Sequence, residues 1–117
     1  MNADDVEDAV EAAYKAFQKY RILNGRTRAD LLSRWDALIR ENKDDLAKIM
    51  VYKTGKPLAE AHGEIEYAAS FTRWFAGEAE RIHGTNFTAA APGRRVFTIK
   101  QPLGVAAALV PWNFPVA

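Results

Sequence analysis

Two prolines bracket a Trp-Asn-Phe triplet late in the 117-residue sequence, at Pro111-Trp112-Asn113-Phe114-Pro115. Proline fixes its own φ, so the stretch reads as a rigid turn. An asparagine held there presents a side-chain NH2 that can donate to an oxyanion, and two aromatic faces beside it can line a small-molecule site. The plainer reading is a packed turn in which Asn113 serves only as a turn residue. The turn follows Gly104-Val105-Ala106-Ala107-Ala108-Leu109-Val110. That continuous apolar run reads as a strand, Val105 to Val110, covered on both faces in a parallel sheet. Ligands of α/β sheets bind at the carboxyl ends of such strands.

Other residues of the right types lack the right company. Lys53-Thr54-Gly55-Lys56-Pro57 superficially resembles a phosphate loop, but an earlier glycine is missing and Pro57 replaces the Ser or Thr that would hold magnesium. A helix-to-helix corner is the expectation. His62 and Glu66 stand four apart on one helix face, yet two ligands without a third do not make a metal site, and none is expected. His83 beside Gly84 reads as a helix C-terminal residue. Glu60, Glu64 and Glu66 read as solvated helix surface.

The elements that position these residues are mostly helical. Val6, Ala9, Val10, Ala13, Phe17 and Tyr20 recur at steps of three and four, which predicts an amphipathic helix over 3–20 with Asn2 as N-cap. Asn24-Gly25 supplies a stop, and Thr27 with Asp30 approximates a capping box for a helix that carries Leu31, Leu32, Trp35, Leu38 and Ile39 to about Asn42. A short helix with Leu46, Ile49 and Met50 ends at Gly55, and Pro57 takes the first position of the next. That helix is the longest, striped by Ala61, Ile65, Ala68, Ala69, Thr72, Phe75, Ala76, Ala79 and Ile82 and ended by Gly84. Residues 85–93 read as a loop, and Arg95 to Lys100 alternates as a strand.

Composition bounds the function. The chain is 49% hydrophobic and 26% charged with a formal net charge of +1, which disfavours nucleic acid or an anionic membrane as main partner. There is no cysteine, so disulfides, thiolate metal sites and a cysteine nucleophile are excluded within these residues. No apolar run approaches the roughly 20 residues that span a bilayer, and no signal peptide opens the chain. A cytoplasmic protein is the default expectation. Val105 to Val110 demands parallel partners and crossover helices that the 117 residues do not supply, so the sequence reads as part of a larger enzyme.

Gln101-Pro102-Leu103-Gly104-Val105 followed by Pro111-Trp112-Asn113-Phe114-Pro115 resembles the entry to the cofactor domain of the aldehyde dehydrogenase superfamily. Gly55-Lys56-Pro57-Leu58-Ala59-Glu60-Ala61 matches that family's helix corner. Gly63 to Phe71, Trp74-Phe75-Ala76 and Glu80-Arg81-Ile82-His83-Gly84 look most like the succinate-semialdehyde branch. The resemblance implies an α/β fold: a doubly wound NAD(P)-binding domain, a catalytic domain and a β-arm that builds oligomers. Residues 1–84 would be a helical segment, 94–101 a strand like that of the oligomerisation arm, and 105–117 the first cofactor-domain strand with the active-site turn.

The resemblance also implies a reaction. A cysteine thiolate attacks the aldehyde, hydride passes to the nicotinamide of NAD or NADP, and a glutamate-activated water releases the acid. On that likeness Asn113 is the catalytic oxyanion donor, Val110, Pro111, Trp112 and Asn113 contact the cofactor, and Phe114 lines the substrate channel. The cysteine, the glutamate and the residues that select the aldehyde are expected outside the chain. Succinate semialdehyde is the expected substrate of a dimeric or tetrameric parent, with glutarate semialdehyde or another aldehyde as the alternative within the superfamily. Family members usually carry a preceding segment, so Met1 reads as internal and a mitochondrial leader is compatible. From a different class, the short chain could be a non-catalytic binding or interaction module.

Overall fold

A computed structural model describes residues 2–117, and the reading of Met1 as internal lies outside them. Four helices and two short strands follow in order: α1 (Ala3–Tyr20), α2 (Gly25–Glu41), α3 (Lys43–Thr54), α4 (Leu58–Ala79), β1 (Asn86–Thr88) and β2 (Arg95–Phe97). They fall into two units. One holds α1 through Leu23 together with Arg81–Ala107; the other holds Asn24–Glu80 together with Ala108–Ala117. No helix among the described residues is long and apolar enough to cross a membrane.

In the second unit, α2 and α3 pack on α4. Ile39, Ala47, Met50, Ala61, Ile65 and Ala69 form its core, with Leu46 and Val51 partly buried against it. All of these core residues but Ala47 were expected on helical faces from their spacing alone. Alanine dominates the α4 stripe because a methyl group lets a neighbouring helix approach closely. Gly25 does the same at the start of α2, where a Cβ would lie 2.6 Å from the Ala79 carbonyl oxygen.

The helix starts show which signals won. Asn2 caps α1 as expected, and it does so in a full capping box with Asp5. The expected Thr27–Asp30 box does not form. Asn24 caps α2 instead, accepting from the Thr27 N–H at 2.8 Å, because an asparagine three residues ahead of Thr27 satisfies that orphan donor first. Gly55 ends α3 at φ 72°, and Pro57 stands at the N-cap of α4, one residue before the helical position expected.

The end of α4 differs from expectation. The helix stops at Ala79, not at Gly84, and Ile82 lies outside it. The cause is a hairpin. Residues 85–93, expected as loop, contain β1, which pairs antiparallel with β2 in the register Asn86↔Phe97, Phe87↔Val96 and Thr88↔Arg95. Pairing continues to Thr85, whose carbonyl accepts from Thr98 N–H at 2.9 Å and whose N–H donates to Thr98 Oγ1 at 3.0 Å. A segment recruited into an extended ladder cannot stay helical. Gly84 is needed for close approach, since a Cβ there would run into the Thr98 carbonyl. The strand expected over Arg95 to Lys100 is correspondingly shorter, ending at Phe97.

The strand expected over Val105 to Val110 does not form. A strand is completed by a neighbour's hydrogen bonds, and among the described residues β1 and β2 pair only with each other. The run is exposed throughout, Leu109 completely so. In the first unit the apolar stripe of α1 (Val6, Val10, Tyr14 and Phe17) faces Leu103–Val105 across an open groove of about 620 Å³.

Candidate functional site

The turn anticipated from its two prolines is present. Trp112 and Asn113 occupy a turn, and Phe114 and Pro115 a bend. Val110 is 72% exposed and Trp112 83% exposed, so the segment expected to meet a cofactor offers open apolar and aromatic faces. Asn113 is exposed, and Phe114 half-exposed. The five residues singled out from the sequence therefore share one surface of the second unit. They do so because they are consecutive, and what fixes their arrangement comes from elsewhere.

That support is a buried ion pair. Lys56, at the corner between α3 and α4, meets Glu64 on the second turn of α4, with side chains 15% and 1% exposed. The same ammonium donates to the Asn113 carbonyl at 2.8 Å and lies 4.6 Å from the centre of the Phe114 ring. The second oxygen of Glu64 accepts from the Val116 N–H at 3.0 Å. Because the contact to Asn113 is through its backbone carbonyl, Lys56 leaves the side-chain amide available as a donor.

Glu64 thus corrects an expectation. It is not solvated helix surface but a carboxylate only 4% exposed as a residue. A signal for this was available. Position 64 lies three residues after Ala61 and four before Ala68, inside the buried stripe of α4, and a carboxylate in an apolar stripe needs a cation. Lys56, in the expected helix-to-helix corner, touches the turn directly.

The remaining candidates are engaged in structural contacts. Thr54 Oγ1 donates to the Met50 carbonyl at 2.8 Å and accepts from the Lys56 N–H at 3.3 Å, so Lys53 to Pro57 is a capped corner. His62 Nδ1 lies 3.7 Å from Asp44, while Glu66 accepts from Lys43 at 2.9 Å and pairs with Arg40. The Lys43 hydrogen bond, opposed by burial and reinforced by the charges of Lys43 and Arg40, holds the Glu66 carboxyl below its ordinary value. His83 Nδ1 sits 2.7 Å from the Arg81 carbonyl. No group of three or more His, Cys, Asp or Glu side chains among the described residues could hold a metal ion.

Comparison with known proteins agrees over the whole length. The model of the aldehyde dehydrogenase family matches residues 1–117. Glutarate-semialdehyde dehydrogenase of Pseudomonas aeruginosa is 52% identical over all 117 residues, and the NADP(+) succinate-semialdehyde dehydrogenase of Escherichia coli is 49% identical over the same span. The crystal structure of succinate-semialdehyde dehydrogenase from Burkholderia pseudomallei superposes with a TM-score of 0.90 at 46% identity, covering 98% of this chain. In each case the chain spans 24% of the relative's own length. The helix-rich architecture described above is therefore an incomplete portion of that fold.

Proposed function

From a chain that belongs to the aldehyde dehydrogenase family, we propose that the whole protein oxidises a semialdehyde to its acid with NAD or NADP. Succinate semialdehyde is the leading substrate, on the resemblance of residues 63–84, and glutarate semialdehyde the alternative; similar enzymes carry both names. The observation that carries this reading is the braced turn, which presents Asn113 from a backbone held at its own carbonyl and again at the Val116 N–H.

Each residue then has a part. The Asn113 side-chain amide donates to the oxyanion that develops on the aldehyde oxygen, in a site where the donor costs no reorganisation at the moment of reaction. Phe114 lines the path of the aldehyde. Val110, Pro111 and Trp112 form one flank for the cofactor; their exposed apolar and aromatic faces suit a planar ring and a ribose. Bound there, NAD(P) supplies the acceptor for the substrate's hydride. These 117 residues contain no cysteine, so the thiolate of the reaction is not theirs. The exposed β1–β2 hairpin, with Phe97 at 74% exposure, is proposed as arm surface for a dimer or tetramer of the whole protein. We place that protein in the cytoplasm, with small-molecule substrates and neither nucleic acid nor membrane as partner.

The test is direct. The purified whole protein is given succinate or glutarate semialdehyde with NAD+ or NADP+, and reduced nicotinamide is followed by absorbance. Failure to reduce either cofactor with either aldehyde rejects the activity. Asn113→Ala should lower kcat by roughly 10²–10³ with a smaller change in cofactor affinity. An unchanged kcat, with chemistry shown to be rate-limiting, removes Asn113 from the oxyanion role.

A further inference from the structure

We propose that Lys56 and Glu64 are positioning residues for Asn113, a role that rests on the oxyanion reading of that side chain. The two charges are nearly out of water, at 15% and 1% side-chain exposure. A buried pair is a poor way to gain stability, because desolvation offsets most of the attraction unless every remaining donor and acceptor is used. Here they are used on one object. Lys56 donates to the carbonyl of Asn113 and sits over the ring of Phe114, and Glu64 accepts from the N–H of Val116. Asn113, Phe114 and Val116 are thereby tied to a single ion pair.

The anchor behind that pair is rigid. Glu64 adjoins Ile65, the largest side chain among the described residues that is wholly buried, in the middle of the longest helix. Lys56 follows Gly55, whose left-handed φ of 72° ends α3 and sets the direction of the corner. With the backbone clamped at Asn113 and Val116, the direction in which the Asn113 side chain leaves the turn is restricted. Oxyanion stabilisation depends on such restriction: a displacement of about 1 Å can cost about 10²-fold in rate. Lys56 and Glu64 touch neither substrate nor cofactor in this reading and act through Asn113.

A merely stabilising ion pair and a positioning one differ in their coupling to Asn113. The experiment compares Lys56→Met, Glu64→Gln and Lys56→Arg in the whole protein, each with Asn113 intact and with Asn113→Ala. With Asn113 intact, Lys56→Met and Glu64→Gln should lower kcat by about 10- to 10²-fold while KM for the cofactor moves little. In the Asn113→Ala background the same changes should lower kcat by less than about twofold, since the group they position is gone. Lys56→Arg keeps the cation and should recover most of the loss. Equal factors in both backgrounds would overturn the proposal and leave the pair a stability element.

A second readout separates this inference from the enzymatic one. Amide hydrogen exchange at Val116 should be slow in the parent and faster in Glu64→Leu, which has no acceptor for that N–H, whether or not any aldehyde is oxidised. Slow exchange in an inactive protein rejects the activity and keeps the clamp. Unchanged exchange in Glu64→Leu, an apolar residue that suits the buried stripe of α4, rejects the clamp itself.

Discussion

Ile65→Ala probes the platform on which the turn is mounted. Ile65 is fully buried at the centre of a cluster otherwise made of Ile39, Ala47, Met50, Ala61 and Ala69. The substitution removes three carbons, and at about 0.8 kcal/mol for each the transfer loss is about 2.4 kcal/mol. A cavity contribution adds to this, because alanines have no rotamers with which to fill the space; large-to-small changes of this kind cost about 2–5 kcal/mol, and we expect about 4. The assay is equilibrium unfolding in urea followed by circular dichroism, with the denaturant slope checked for constancy. Ile65→Val, which removes one carbon, should cost about 0.5–1.5 kcal/mol and serves as the scale. A loss below about 1.5 kcal/mol for Ile65→Ala would refute the reasoning. It would mean that Met50 and Ile39 collapse into the void, and that α4 is not the stiff support assigned to it.

Two further predictions address other joints. Gly25→Ala places a methyl 2.6 Å from the Ala79 carbonyl oxygen; it should destabilise by about 1–3 kcal/mol in the same urea assay despite alanine's better helix propensity, and a gain in stability would show that α2 can shift. Glu66→Gln should change acid stability in a defined window. Since the Glu66 carboxyl is held below its ordinary value of 4.5, chiefly by Lys43, folding favours its charged form. Its stabilisation is therefore complete above pH 4.5 and disappears as pH falls through the lowered folded value. The urea midpoints of parent and variant should differ at pH 7 and converge once pH falls below the lowered folded value; a difference independent of pH would exclude the Lys43 and Arg40 contacts as its source.

Local signals specified most of the helical layout. Periodicity placed α1 at its observed bounds, Gly55 ended α3, and the stripe of α4 named Ala61, Ile65, Ala68, Ala69 and Ala76 as buried. These features depend on residues within a few positions of one another, which a single sequence displays. The hairpin depends on Thr85 meeting Thr98, thirteen residues away, and nothing local distinguishes residues 85–93 from loop. The same long-range pairing also explains the early end of α4. The apolar run Val105 to Val110 shows the converse: its composition is that of a buried strand, but strand structure belongs to a pair and not to a segment.

The candidate site divides along the same line. The turn residues were legible because proline, asparagine and aromatic side chains carry their chemistry wherever they are placed. Their brace was not, because its recognition requires three segments at once: a corner at Lys56, a helix face at Glu64 and the turn itself, 57 residues beyond the corner. Yet half of it could be deduced. A carboxylate at position 64 of an alanine-rich stripe violates the binary pattern of α4, and a violation inside a core is tolerated only where a partner satisfies it. The polar residue that breaks the pattern was therefore a better pointer to the candidate site than the acidic residues that obey it. Glu60 and Glu66, on the outer faces, hold no part of the turn, whereas Glu64 holds the backbone that presents Asn113.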